Sequence, residues 1–183
     1  MLLWRRATCI RKSGTRVCSS VYTICVYVHL SALLPFRFPL SSSLMPSLHL
    51  QPTEGPGLVD TFVCHCTDCR KVTASMFASN FTIDDTYLKH LRGRDNLSAW
   101  SQSRTIESGN TMTNHFCKTC GTLMYRVSSG MPGKSILRIG TVDDFNLHET
   151  KLKPRRELFI RSRVGWFPGV DLEGVKCSQD GGS

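Results

Sequence analysis

From residue 61 onward, short runs of apolar and β-branched side chains alternate with turn residues. Residues 61–64 read as the end of a strand, and residues 78–83 (ASNFTI) show the period of two expected of a half-buried strand. Residues 99–106, 111–116, 123–127, 136–139 and 157–160 read the same way. Gly93, Gly109, Gly121, Gly130, Gly133 and Gly140 punctuate these runs, as turn residues do. Residues 84–91 have room for one helical turn or two, and no longer helical period is present. The pattern predicts an all-β or β-dominated domain over residues 61–172 with a flexible tail at 173–183.

The first 60 residues differ. No acidic side chain precedes Glu54, while Arg, Ser and apolar residues are plentiful. The longest apolar stretch, 21–34, carries Thr23, His29 and Ser31 and stops at Pro35. It falls short of the ~18–20 residues a membrane-spanning helix needs, so no membrane partner is expected. A basic start, an apolar middle and Ser41, Ser42 and Ser43 resemble a targeting leader. Cys9, Cys18, Cys25 and the run PFRFP suit no leader, and the alternative is an irregular N-terminal extension without a structural role. Both readings stand. The Pro- and Gly-rich residues 51–57 mark the boundary.

Charge adds little. The chain carries 23 Lys+Arg against 14 Asp+Glu, a net of +9; residues 61–183 hold 17 and 12 of these, a net of +5. That is an ordinary surface, without the clustered cations and interleaved aromatics of a nucleic-acid binder. Residues 151–156 (KLKPRR) approach a basic cluster and read as a solvated loop. The cytoplasm is the default location.

The cysteines carry the chemistry. Of nine, Cys9, Cys18, Cys25 and Cys177 stand apart, and five form two groups: Cys64, Cys66 and Cys69, then Cys117 and Cys120. A two-residue gap lets one turn aim two sulfurs at one metal ion, and Gly121 after Cys120 permits the positive φ of such a turn. Disulfides between partners this close would be strained, and a thioredoxin-like redox pair would need a βαβ context that the pattern lacks. The spacing predicts zinc, as one or two ions. One ion held by Cys66, Cys69, Cys117 and Cys120 would be a closed structural site, which spacing alone favours. Alternatively, Cys64, Cys66 and Cys69 hold one ion with an open fourth position, as catalytic zinc is built, and Cys117 and Cys120 serve a second. His65, between two ligands, is expected to point away from the metal.

These residues, with Thr113 to Gly121, Met131 to Gly133, Gly140 to Asp144 and Phe159 to Trp166, resemble the glutathione-dependent formaldehyde-activating, or centromere protein V, domain family. The resemblance runs from about residue 62 to 170. It implies an all-β, tent-like fold with two zinc ions, in which Cys64, Cys66 and Cys69 match the three-thiolate catalytic site. Cys117 and Cys120 match half of the structural site, whose other half comes in the family from an upstream Cys-x-Cys that this sequence lacks. Such a departure would leave a zinc half-coordinated and a sheet edge unpaired.

The implied activity is that of a zinc-dependent carbon–sulfur lyase acting on a glutathione–aldehyde adduct of the S-hydroxymethyl type. A non-catalytic, zinc-stabilised binding module, with nucleic acid as a conceivable partner, and a truncated family member are the alternatives. Arg70 is a candidate for neutralising the site or a substrate carboxylate. His115 and Asp68 are candidate proton carriers, each with a plain structural role as its alternative. Arg161 and Arg163 would share one strand face, and Trp100 and Trp166 are expected in the core.

Overall fold

A computed structural model of the chain describes residues 49–52 and 56–181. The apolar stretch 21–34 and the leader reading built on it lie outside the described residues.

Ten strands form. A small antiparallel pair joins β1 (His49–Pro52) to β4 (Leu88–Arg92). The others are β2 (Leu58–Cys64), β3 (Ala78–Asp84), β5 (Leu97–Gln102), β6 (Met112–Cys117), β7 (Leu123–Ser128), β8 (Lys134–Arg138), β9 (Arg156–Leu158) and β10 (Lys176–Cys177). They make one open mixed sheet in the order β10-β9-β2-β3-β8-β7-β6-β5. β9 runs parallel to both β2 and β10, and the remaining pairs are antiparallel. The mostly-β architecture is the one the alternation predicts.

Strand period and register sort the side chains onto two faces. On one, Phe81, Ile83, Tyr125, Leu137 and Ile139 are buried and pack with Val142, Leu147 and Leu152. Helix α2 (Phe145–Glu149) supplies Leu147 and covers this face. Burying side chains such as Phe81 and Leu137, both at 0% exposure, stabilises the fold by roughly 1.5–3 kcal/mol each. On the other face, register places Cys64 beside Ala78, Asn80 beside Arg138, and Arg126 between Asn114 and Ile136. Asn80, Arg138, Arg126 and Asn114 are all buried. The sheet therefore has one apolar face and one polar buried face.

Several elements differ from the pattern. The run 99–106 is strand only to Gln102, because the Gln102 carboxamide accepts from the Thr105 amide (3.2 Å) and turns the chain. The run 157–160 ends at Leu158, since Phe159 takes a left-handed conformation (φ 57°) that starts a 3-10 turn at Ile160–Ser162. Arg161 therefore lies in a turn and Arg163 follows it, so the two do not share a strand face. Residues 84–91 contain one 3-10 turn, Asp85–Tyr87, before β4 begins. Trp100 and Trp166 are 54% and 71% exposed, not core: Trp100 lies on the edge strand β5 and Trp166 in the segment after the last turn. Helix α1 (Thr67–Thr73) leaves no mark in the sequence pattern, because its seven residues are too few to show an apolar period. Residues 176–180, within the expected tail, are tied down by β10 and by the Phe159 amide, which donates to the Asp180 carbonyl (3.2 Å).

Candidate metal centre

β2 delivers Cys64 to its own end, and α1 begins three residues later. Cys66 caps the helix: its Sγ accepts from the Cys69 amide (3.3 Å), and its carbonyl accepts from the Arg70 amide (3.0 Å). The first turn thereby folds Cys69 back toward Cys66. Asp68 in the first turn and Arg70 and Lys71 in the last suit the helix dipole. Thr73 Oγ1 donates to the Cys69 carbonyl (2.7 Å).

The three sulfurs of Cys64, Cys66 and Cys69 all lie within 4.8 Å of one another. In a tetrahedral site with metal–sulfur bonds of ~2.3 Å, sulfurs stand about 3.8 Å apart, so the spacing suits one ion. Among the described residues no other His, Cys, Asp or Glu joins the group. Cys64 and Cys69 are buried and Cys66 is partly open, so the group has an inner side and an accessible one.

Ionisation is not equally favoured at the three sulfurs. Hydrogen bonds donated by the Cys64 and Cys66 thiols hold the Cys69 thiol well below its usual value, and the nearby Arg126 and Arg138 charges add to this. Cys64 is pushed the other way by its contacts with Cys66 and Cys69 and by burial. Three thiols, one of them held toward its ionised form, are the donor set that a soft-to-borderline cation takes.

Cys117 and Cys120 do not join this group. Cys117 is buried with the apolar core and Cys120 is exposed, in the turn after β6. Gly121 has φ +74°, as the Cys-x-x-Cys-Gly turn requires, and its amide donates to the Cys117 carbonyl (2.8 Å). Burial opposes ionisation of Cys117, but hydrogen bonds from the Cys120 and Thr119 amides and side chains outweigh it and hold its thiol below the usual value. The one-ion site expected of Cys66, Cys69, Cys117 and Cys120 does not assemble.

His65 points away from the sulfurs, as its place between two of them implies. It is fully buried, its Nε2 lies 2.7 Å from Glu157 Oε1, and its ring packs against Phe77 and Phe167. Arg70 donates to the Ser162 carbonyl (3.2 Å). Asp68 accepts from Gln102 Nε2 and Thr105 Oγ1, which anchors the loop after β5 onto α1. His115 stacks on Tyr125 (centroids 4.3 Å apart), and burial lowers its pKa. Arg161 pairs with Glu107, and Arg163 donates to Glu157 (3.2 Å). Sequence reasoning missed Glu157, Arg126 and Arg138. The two arginines did carry a signal: each is a cation inside a run that otherwise reads as buried strand.

Residues 48–162 match the family model for the glutathione-dependent formaldehyde-activating enzyme. The chain belongs to this family. Among solved structures, it is similar to a Rhodobacter sphaeroides protein at 20% identity, over 53% of this chain and 81% of that one, with a TM-score of 0.42. No curated protein matches. The matched region spans β1 to the 3-10 turn at Ile160–Ser162 and so contains every cysteine of both groups. Among the described residues, no helix is long and apolar enough to cross a membrane. The basic residues Lys151, Lys153, Arg155, Arg156 and Lys176 line an open groove of about 770 Å³ that contains no cysteine.

Proposed function

We propose that the chain is a zinc-dependent carbon–sulfur lyase that makes or breaks the bond between a glutathione-like thiol and an aldehyde carbon, as in S-hydroxymethylglutathione. The observation that carries this reading is the set of three sulfurs within 4.8 Å, without a fourth protein donor among the described residues. Membership of the glutathione-dependent formaldehyde-activating family supports the choice of thiol and aldehyde.

Cys64, Cys66 and Cys69 would hold the ion. When bound, zinc supplies a Lewis-acidic position at which an incoming thiol is stabilised as its thiolate. Three thiolates around a dication leave it a weaker Lewis acid than a histidine-ligated one, which suits thiol exchange better than activation of water. The residues of the chain then orient and enclose. Cys64 and Cys69 are fixed from below by the sheet and by α1, and the partly open Cys66 marks the side from which a substrate enters. His65 and Glu157 hold the backbone between the first two sulfurs.

The test is metal stoichiometry and turnover on the same preparation. One zinc that depends on Cys64, Cys66 and Cys69, together with loss of glutathione-dependent formaldehyde consumption in Cys66→Ser, supports the lyase. Full turnover by Cys66→Ser with its zinc gone would overturn it.

A further inference from the structure

Two arginines stand behind the sulfurs on the polar face of the sheet. Arg126 on β7 and Arg138 on β8 are 5% and 6% exposed. Register puts Arg126 opposite Ile136, and strand period puts Arg138 two residues on, on the same face. Arg126 Nη1 donates to Cys69 Sγ at 3.5 Å. Arg138 Nη1 donates to Asn80 Oδ1, and Asn80 lies on β3, two residues from the neighbour of Cys64.

Buried guanidinium groups are normally paired with carboxylates, because an uncompensated buried charge is costly. Among the described residues, neither arginine makes an ion pair with an Asp or Glu. Arg126 Nε and Arg138 Nε and Nη2 are buried without a hydrogen-bond partner. Among the described residues, the groups that face these cations with negative charge are the sulfurs: Cys69 Sγ accepts from Arg126, and Cys69 and Cys64 act on Arg138.

We infer that Arg126 and Arg138 are positioning residues of the three-sulfur site, a fixed pair of positive charges that lets it accept an anionic sulfur ligand in preference to a neutral one. The inference rests on the cysteines being metal ligands. Three thiolates and a dication carry one net negative charge, which repels a fourth thiolate. Two guanidinium charges turn that balance to one net positive, and an incoming thiolate brings it to zero. In a partly desolvated site such charges act at several ångströms with little screening.

The experiment uses the full chain loaded with cobalt(II), whose visible absorption reports its fourth ligand. Two probes are titrated: 2-mercaptoethanol, which binds as an anion, and imidazole, which binds neutral. Arg126→Met is expected to weaken the thiol by about tenfold or more and to leave imidazole within about twofold. Arg126→Lys keeps the charge and is expected to bind both probes as the parent does, so the inference stays testable should the Met variant fail to fold.

Equal loss of both probes in Arg126→Met, or a tenfold loss of thiol in Arg126→Lys, overturns the charge assignment while leaving the metal site intact. A parent protein that takes up no cobalt at Cys64, Cys66 and Cys69 overturns the proposed function itself, and this inference with it.

Discussion

His65 Nε2 and Glu157 Oε1 meet at 2.7 Å across 92 residues of chain, with both side chains almost completely buried. His65 stands between two sulfurs of the candidate metal centre, so this contact fixes the loop that presents them. Glu157 also accepts from Arg163 Nη1 and the Val170 amide, each at 3.2 Å, and from Cys177 Sγ at 3.8 Å. One carboxylate thus joins the sulfur loop, the segment after the last 3-10 turn and the strand β10. Glu157→Ala would leave the buried His65, the part-exposed Arg163 and the Val170 amide unanswered. We expect it to cost about 1–3 kcal/mol, read as a lower urea midpoint with an unchanged slope.

The same carboxylate sets a pH dependence. Burial opposes its ionisation, but hydrogen bonds from the Val170 amide, His65 and Arg163 outweigh this and hold its pKa below the ordinary 4.5. A carboxyl with a depressed folded pKa contributes stability that is complete above the unfolded value and is lost as pH falls through the folded one. The stability gap between the parent protein and Glu157→Gln should therefore be widest near neutrality and close below pH 4.5. Urea titrations of both proteins across that range check the sign, and a gap that widens toward acid would contradict it.

These partnerships explain what the sequence could and could not convey. The strands around Phe81, Tyr125 and Leu137 were legible because alternation reflects a local period that a one-dimensional pattern retains. The sulfur spacing was legible for the same reason, since Cys64, Cys66 and Cys69 are neighbours in the chain. Which cysteines share an ion was not, because that depends on register: β2 lies four strands from β6 in the sheet, and no local pattern encodes that separation. Glu157 looked like the start of a strand, and only the parallel pairing of β9 with β2 brings it to His65. Trp100 and Trp166 were misplaced because bulk and apolarity do not reveal an edge strand.

Asp68 carries a third expectation. It accepts from Gln102 Nε2 at 3.1 Å and from Thr105 Oγ1, and the Thr105 amide is in turn held by Gln102. The loop over residues 103–109 is therefore anchored to the helix that bears Cys69, and a second tie runs from Glu107 to Arg161. Hydrogen bonds to a charged acceptor contribute about 1.5–3 kcal/mol. Asp68→Ala should raise amide exchange in residues 103–109 by about tenfold or more while β3 and β8 stay protected, as hydrogen-exchange mass spectrometry would resolve. Unchanged exchange would mean that the tie to Arg161 suffices.

Cys120 tests the separation of the two cysteine groups. It is exposed, lies in the turn after β6 and stands outside the sulfur cluster. If Cys64, Cys66 and Cys69 hold a metal, Cys120→Ser should leave it in place, at the same affinity within about twofold, whereas Cys69→Ser should lower that affinity by about two orders of magnitude. Competition with a chromophoric chelator measures both. Equal losses in the two variants would show that the groups act on one ion.

Two glycines separate backbone strain from disruption of the Glu157 cluster. Gly169 (φ +111°) and Gly174 (φ +80°) both occupy conformations that a side chain disfavours. A Cβ at Gly174 would meet nothing within 4 Å, so Gly174→Ala should cost only the backbone penalty, about 1–2 kcal/mol. A Cβ at Gly169 would collide with the Arg163 guanidinium and lie 3.1 Å from Glu157 Oε2. Arg163 can move only by giving up its hydrogen bond to Glu157, so Gly169→Ala should cost at least about 1 kcal/mol more than Gly174→Ala. It should also lose part of the pH dependence assigned to Glu157, since one of the donors holding that carboxylate ionised would be displaced. Thermal unfolding of the two variants at neutral and acid pH separates these contributions, and equal costs at both pH values would remove Arg163 from the cluster.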